Sequence, residues 1–375
     1  MTGSVGNERL EVTYRLFCGE GENARDKARD IAYEQTVELP PACVGEAITE
    51  RVVGRVERVE PGKTRSFAAT ISYDPELIGS DAAQLANLLF GNISLKSGIV
   101  VTGIEWPNSL LKAFGGPAHG IEALRAMTAA PPGRPLLCGA LKPVGLDPTE
   151  LADICHRFAT GGIDIIKDDH GLTDQPSAPF RQRVERCQEA VGRAGNGRTL
   201  YFPNVTGPAA AIEERVEFSH NAGCKGVMVA PLLAGLDCLQ RIAREKKLAV
   251  LAHPSMTGAF FGDRHGIAPE VLLGDLFRVL GADGVIYPNV GGRFPFNDRT
   301  CHAINERLRG ELGGLRRSFP TPGGGIDVKI VPHWLAQYGP DTILLIGGSL
   351  YIQSDLSDAT RKLVEALERA AGIPG

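Results

Sequence analysis

The chain has 375 residues, 43% hydrophobic and 22% charged, with a formal net charge of −4. That length holds two domains, or one barrel and a cap, and the mildly acidic balance offers no basic field for nucleic acid. No apolar run approaches the roughly 18 residues that span a membrane, no basic-then-apolar leader opens the chain, and its eight cysteines form no CxxC pair and suit a reducing cytoplasm.

Residues 1–120 mix alternating and helical patterns and predict a compact α+β domain. Leu10–Phe17, Arg51–Val59, Ser66–Tyr73 and Gly98–Trp106 alternate as strands do, and Asn23–Glu34 and Asp81–Phe90 read as helices. Ala24, Ala28, Ile31 and Ala32 share one face of the first helix, and Ser80 or Asp81 caps the second.

Over residues 121–375 the rhythm changes. Short apolar runs stand at Leu136–Leu141, Ile163–Ile166, Leu200–Pro203, Gly226–Ala230, Ala249–Ala252, Gly284–Tyr287, Arg317–Phe319 and Thr342–Ile346. Helical patterns follow them at Pro148–Thr160, Phe180–Ala194, Ala209–Ala222, Leu233–Glu245, Pro269–Leu280, Asp298–Leu312, Val328–Tyr338 and Leu356–Ala371. Eight strand–helix repeats predict a (β/α)8 barrel behind the N-terminal α+β domain. The competing open doubly wound sheet would carry GxGxxG after an early strand, and none is present.

Chemistry in such barrels gathers at the carboxyl ends of the strands. The run Ile163–Ile166 ends in Lys167, Asp168, Asp169 and His170, the first run in Lys142 and the fifth in His253. Alternate strand residues share a face, so Lys167 and Asp169 point the same way. They form either an ion pair or, if CO2 carbamylates the lysine, an oxygen-rich site suited to Mg2+. Lys142 is a general acid or base if desolvation lowers its pKa, or an anion anchor; His253 ligates, shuttles a proton, grips phosphate or is structural. Gly324 and Gly325 follow the seventh strand and Gly347 and Gly348 the eighth, where backbone amides commonly seat a phosphate.

These segments resemble a known family. GGIDIIKDDH (161–170) resembles the GGxDxxKxDE metal-site motif of the RuBisCO large-chain superfamily, and Leu141-Lys142-Pro143 with Gly145-Leu146 resembles its KPKxGL segment. The resemblance implies that Lys167 is the carbamylated lysine, that Asp169 ligates Mg2+ with His170 at the third ligand position, and that Lys142 handles the proton during enolisation. It implies that His253 assists or binds substrate, that Asn204 sits in the barrel mouth and that Gly324, Gly325, Gly347 and Gly348 bind one phosphate. Glu34 and Asn92 would reach into a partner's barrel mouth, making the active unit a homodimer with its sites at the subunit interface.

Several positions depart from that pattern. His170 stands where the family has a glutamate, Arg293 where the mobile loop carries its lysine, and Val144, Pro254, Thr257 and Ile286 replace other polar residues. A neutral, softer histidine weakens a Mg2+ site, and arginine is not an equivalent donor to lysine. The expectation is therefore a RuBisCO-like protein that does not fix CO2. Arg293, a fork suited to a carboxylate, favours decarboxylation or carbon–carbon cleavage of a sugar acid of the 3-oxo-isoapionate 4-phosphate type, with Arg293 in a catalytic role. The alternatives are isomerisation or enolisation of a substrate of the 5-methylthioribulose 1-phosphate type, and a non-catalytic sugar-phosphate-binding protein. An apolar lining would favour the methylthio substrate and further cations or donors the sugar acid.

Overall fold

The computed structural model describes residues 8–63, 65–195, 197–294, 296–326 and 330–373. Its N-terminal part is built on β1 (Leu10–Phe17), which buries Leu10, Val12, Tyr14 and Leu16, every second residue, against the helix Ala24–Glu34. The Asn23 side chain caps that helix by accepting from the amides of Arg25 and Asp26, and Asp81 caps Ala82–Phe90 in the same way. With β2 (Arg55–Pro61), β3 (Ser66–Tyr73) and β4 (Ile99–Glu105), an antiparallel sheet runs in the order β4-β1-β3-β2. The expected strand Arg51–Val59 starts four residues late. Arg51 instead ends a short helix from Glu46, and Gly54 sits so close to the Tyr73 ring that a Cβ would meet it at 2.7 Å.

The remaining chain forms a parallel barrel of β5 (Leu136–Leu141), β6 (Ile165–Asp168), β7 (Leu200–Phe202), β8 (Gly226–Val229), β9 (Ala249–Ala252), then, past a two-residue β10 (Gly266–Ile267) that leaves the barrel, β11 (Gly284–Pro288), β12 (Phe319–Gly323) and β13 (Ile343–Ile346). The strand order is β7-β6-β5-β13-β12-β11-β9-β8, and a parallel bridge between Asn204 and Met228 closes the ring. Leu136, Cys138, Ile165, Phe202, Met228, Leu251, Ile286, Phe319 and Ile343 fill the interior. The cylinder is thus a packed core and its chemistry belongs to one rim.

Within the barrel two expected strands are displaced and one expected helix takes another form. The second barrel strand runs Ile165–Asp168, not Ile163–Ile166, because Asp164 is engaged at the barrel's foot by Arg134 and the Leu137 amide. The seventh begins at Phe319, where the expected one ends: Pro320 and Pro322 break the apolar run, yet all five residues pair with β11. Where Pro269–Leu280 reads as an α-helix, Glu270–Leu276 is a π-helix continuing into Phe277–Val279. The helix expected over Val328–Tyr338 is present as Val331–Tyr338, and its expected start at Val328 lies outside the described residues.

Beyond residue 120, the chain returns to the N-terminal sheet. Gly266–Ile267, on the loop after β9, pairs in parallel with Val100 and Val101 of β4. That loop spans the barrel rim, so sheet and rim enclose one cavity that Val100 and Arg15 also line. No helix among the described residues is long and apolar enough to cross a membrane.

Candidate active site

Successive residues at the end of β6 point to opposite sides. Lys167 and Asp169 face the cavity at the rim. Asp168, between them, is wholly buried and accepts from Arg183 Nε (3.1 Å), Tyr201 OH (2.7 Å) and the Asn204 amide (2.9 Å). This behind-the-strand network fixes the two groups that face forward.

Lys167 is 2% exposed and its Nζ donates to the Asp168 carbonyl at 2.9 Å. Burial, helped by the ammonium of Lys142, moves its pKa down, against the pull of Cys138, Asp169 and Asp168. Asp169 has the opposite balance. Burial works to raise its carboxyl, but hydrogen bonds from His170 and Lys142 and the charges of Lys142 and Lys167 hold it well below the usual carboxylate range. Asp169 Oδ1 accepts from Lys142 Nζ at 2.9 Å, and His170 Nδ1 lies 3.3 Å from the same oxygen.

His253, at the end of β9, completes the cluster. Its ring stacks on His170. The Ser255 amide donates to His253 Nδ1 at 3.2 Å, and Ser255 Oγ lies 2.8 Å from it. An amide can only donate, so Nδ1 is the acceptor and the ring hydrogen sits on Nε2.

Across the rim, Gly324, Gly325, Gly347 and Gly348 line the same cavity. A Cβ at Gly324, Gly347 or Gly348 would meet nothing within 4 Å, so bare backbone forms that wall. Gly324 and Gly325 also need positive φ, +90° and +70°. The Gly291–Gly292 turn packs directly on Gly325, so the loop after β11 rests on this seat. Four apolar side chains also line the cavity: Met256 and Phe261, which follow β9, and Phe294 and Phe296, which follow β11, with Arg15 and Arg299 among its charged lining residues.

The structure thus brings Lys142, Lys167, Asp169, His170, His253 and both glycine pairs to one cavity. Arg293 joins them at its exposed outer edge. Asn204, expected in the mouth, is instead fully buried and absent from the cavity wall. Its Nδ2 donates to the carbonyls of His170 and Leu172, each at 3.0 Å, and its Oδ1 accepts from the Thr206 amide at 3.1 Å. It therefore anchors the loop that carries His170. Glu34 and Asn92 are hydrogen-bonded to each other at 3.2 Å and lie outside the cavity of their own chain, with Lys96 also paired to Glu34.

Sequence reasoning missed the apolar lining and the Asp168 network. The signal for these apolar lining residues was present in Met256, Phe261, Phe294 and Phe296, all on stretches after strand ends. No sequence signal linked Asp168 to Arg183 and Tyr201.

Comparison with known proteins bears on this arrangement. Residues 120–359 match the family model for the ribulose bisphosphate carboxylase large chain, catalytic domain. A 5-methylthioribulose-1-phosphate isomerase of Rhodospirillum rubrum is 40% identical over 370 residues, covering 97% of each chain. A 2,3-diketo-5-methylthiopentyl-1-phosphate enolase of Geobacillus kaustophilus is 31% identical over 83% of this chain and 78% of its own. The crystal structure of a Rubisco-like protein from Rhodopseudomonas palustris superposes with a TM-score of 0.87 at 37% identity, covering 96% of this chain and 97% of the other.

Proposed function

Since the chain belongs to the ribulose bisphosphate carboxylase large-chain family, we propose that it is a RuBisCO-like isomerase that moves a proton beside the carbonyl of a phosphorylated methylthio ketose of the 5-methylthioribulose 1-phosphate type. The observation that carries this reading is the presence of two unlike surfaces in one cavity: the bare backbone of the glycine pairs and the apolar side chains of Met256, Phe261, Phe294 and Phe296. Amides suit a phosphate, and a thioether gains from aromatic and sulfur neighbours. The name of the 40% identical relative supports the same substrate class. Nothing in the comparisons supports the decarboxylation expected from Arg293.

Lys142 is the proton carrier in this reading. Its side chain is 42% exposed at the cavity, and Asp169 holds the ammonium at 2.9 Å. His253, neutral with its Nε2 hydrogen available, donates to an oxygen of the substrate rather than supplying charge. The phosphate rests on Gly324, Gly325, Gly347 and Gly348, which fixes the distance from the ester to the reacting carbon.

The family implies Mg2+ here, and the residues present fit it on one condition. Among the described residues, no three His, Cys, Asp or Glu side chains are placed to hold a metal. An ionised Asp169 beside His170 supplies two donors, and a carbamate on Lys167, formed by attack of its neutral amine on CO2 with loss of a proton, would supply the third; burial lowers the pKa of that lysine. When bound, such an ion polarises a carbonyl and stabilises an enediolate oxygen.

An enolase acting on the related diketone is the second reading, favoured by the 31% identical relative and needing the same proton transfer. A homodimer in which Glu34 and Asn92 face the partner's cavity belongs to the same proposal; their position outside their own cavity supports it. The deciding experiment incubates the protein with 5-methylthioribulose 1-phosphate in D2O, with Mg2+ and bicarbonate, and follows proton and phosphorus NMR. Deuterium entering beside the carbonyl together with a new phosphorylated product supports the isomerase. Binding with neither would instead favour the non-catalytic role.

A further inference from the structure

The geometry points to Tyr351 as a positioning residue that ties the glycine seat to the backbone of Lys142. The inference rests on the reading above, in which Lys142 moves the proton.

The ladder between β13 and β5 runs from Ile343↔Leu136 to Ile346↔Gly139 and stops there. It stops because Gly347, at φ −129° and ψ −99°, turns the chain out of the sheet to form the glycine wall and the short helix Gly348–Tyr351. Past that point, backbone pairing on this side of β5 is lost. A side chain takes it over. The Tyr351 hydroxyl donates to the Ala140 carbonyl at 2.8 Å and accepts from the Lys142 amide at 3.1 Å. One phenol oxygen thus does for the rim what two backbone groups of β13 would have done.

The ring is held for this purpose. Phe158 meets it edge-on, centroids 5.8 Å apart and planes at 86°. Burial pushes the phenol well above the usual tyrosine range, so it stays a donor at every working pH. On its other side, Ala140 is the register partner of Lys167. The hydroxyl therefore bonds both the register partner of Lys167 and the backbone of Lys142, and its own helix begins at Gly348 of the seat. Movement of the seat when a phosphate arrives is transmitted to the Lys142 backbone through this single atom.

Tyr351→Phe removes the oxygen and keeps the ring. The expected result is a fall in kcat of about tenfold to a hundredfold for 5-methylthioribulose 1-phosphate, with KM changed less than about twofold, as misplacement of a reacting group predicts. A readout independent of substrate is the rate at which trinitrobenzenesulfonate labels Lys142, followed by peptide mass spectrometry; it should change by about threefold or more once the strand end loosens. Ile71→Ala, a core change in β3 of the N-terminal sheet, controls for general destabilisation and should leave labelling at the wild-type rate. Wild-type labelling and kcat in Tyr351→Phe, or an equal change in Ile71→Ala, overturns the inference. Should Tyr351→Phe not fold, Tyr351→His decides by the same labelling criterion. Failure of the wild-type protein to turn over the substrate would count against the proposed function alone, because labelling still tests Tyr351.

Discussion

The imidazoles of His170 and His253 stack with centroids 4.6 Å apart and planes 11° from parallel. Two rings that close do not both carry charge beside Lys142 and Lys167. Burial, then the charge of Lys167 and the neighbouring His170, pushes His253 down to about 2, against the pull of Asp169. The candidate site therefore contains a histidine that stays neutral, and its behaviour is testable.

In the unfolded chain His253 titrates near 6.5. Its folded value is lower, so below about 6.5 the unfolded state binds the extra proton and stability falls as pH falls toward 2, by up to about 1.4 kcal/mol per pH unit. Urea denaturation at pH 6.5 and 5.5, in EDTA, should show the wild type losing about 1 kcal/mol more than His253→Gln. Equal losses would mean the ring is charged in the folded state.

Lys142→Met removes the ammonium that Asp169 holds and leaves a side chain of similar length. Turnover should fall by about 10²- to 10⁴-fold, the usual range for a general acid–base group. The direct measurement is deuterium exchange into bound substrate, which should vanish while phosphate-ester binding persists.

Carbamylation of Lys167 requires its neutral amine. With 13C-bicarbonate and Mg2+, a carbamate carbon signal should appear by NMR, grow as pH rises, and be missing in Lys167→Arg. Because burial lowers the pKa of this lysine, the signal should appear at lower pH than for an exposed lysine. Its absence across the whole range would leave Lys167 as a buried cavity lysine held by the Asp168 carbonyl, with the Asp169 ion pair made by Lys142.

Phe294 is 59% exposed at the cavity edge, so replacing it costs the fold little. Phe294→Ser should raise KM for the methylthio substrate by about tenfold, the worth of one or two buried methylene equivalents. Ribulose 1-phosphate, which lacks the thioether, should be indifferent to the change. A parallel rise for both substrates would place the methylthio group elsewhere.

Asp168→Asn tests the network behind β6. Arg183 is fully buried and pairs with this carboxylate at 3.1 Å. Leaving that guanidinium without its counter-charge should cost about 3–5 kcal/mol in chemical denaturation. Loss of activity alone, with unchanged stability, would show that Asp168 faces substrate.

What could be read from the sequence follows from how locally each feature is determined. β5 and β9 stand at their expected ends because each is an unbroken apolar run closed by a polar residue, Lys142 or His253. The shared face of Lys167 and Asp169 follows from strand period alone. β12 was misplaced because Pro320, Thr321 and Pro322 hide a buried strand behind residues that seldom form one. Asn204 illustrates the harder limit. Its position after β7 was legible, but the direction of its amide depends on loop carbonyls 32 and 34 residues away in sequence. Asp168 likewise reads as one acid in a charged cluster until Arg183 and Tyr201 are folded around it.

The two-residue strand Gly266–Ile267 has a practical consequence for anyone dividing this molecule. A fragment ending near residue 120 would lack it, and the backbone of Val100 and Val101 would become an open sheet edge. Such a fragment is expected to self-associate edge to edge, and the complementary fragment to carry an untethered flap over its candidate site. Engineering that treats the two halves as interchangeable cassettes should therefore keep residues 253–270 together with whichever sheet they are meant to complete.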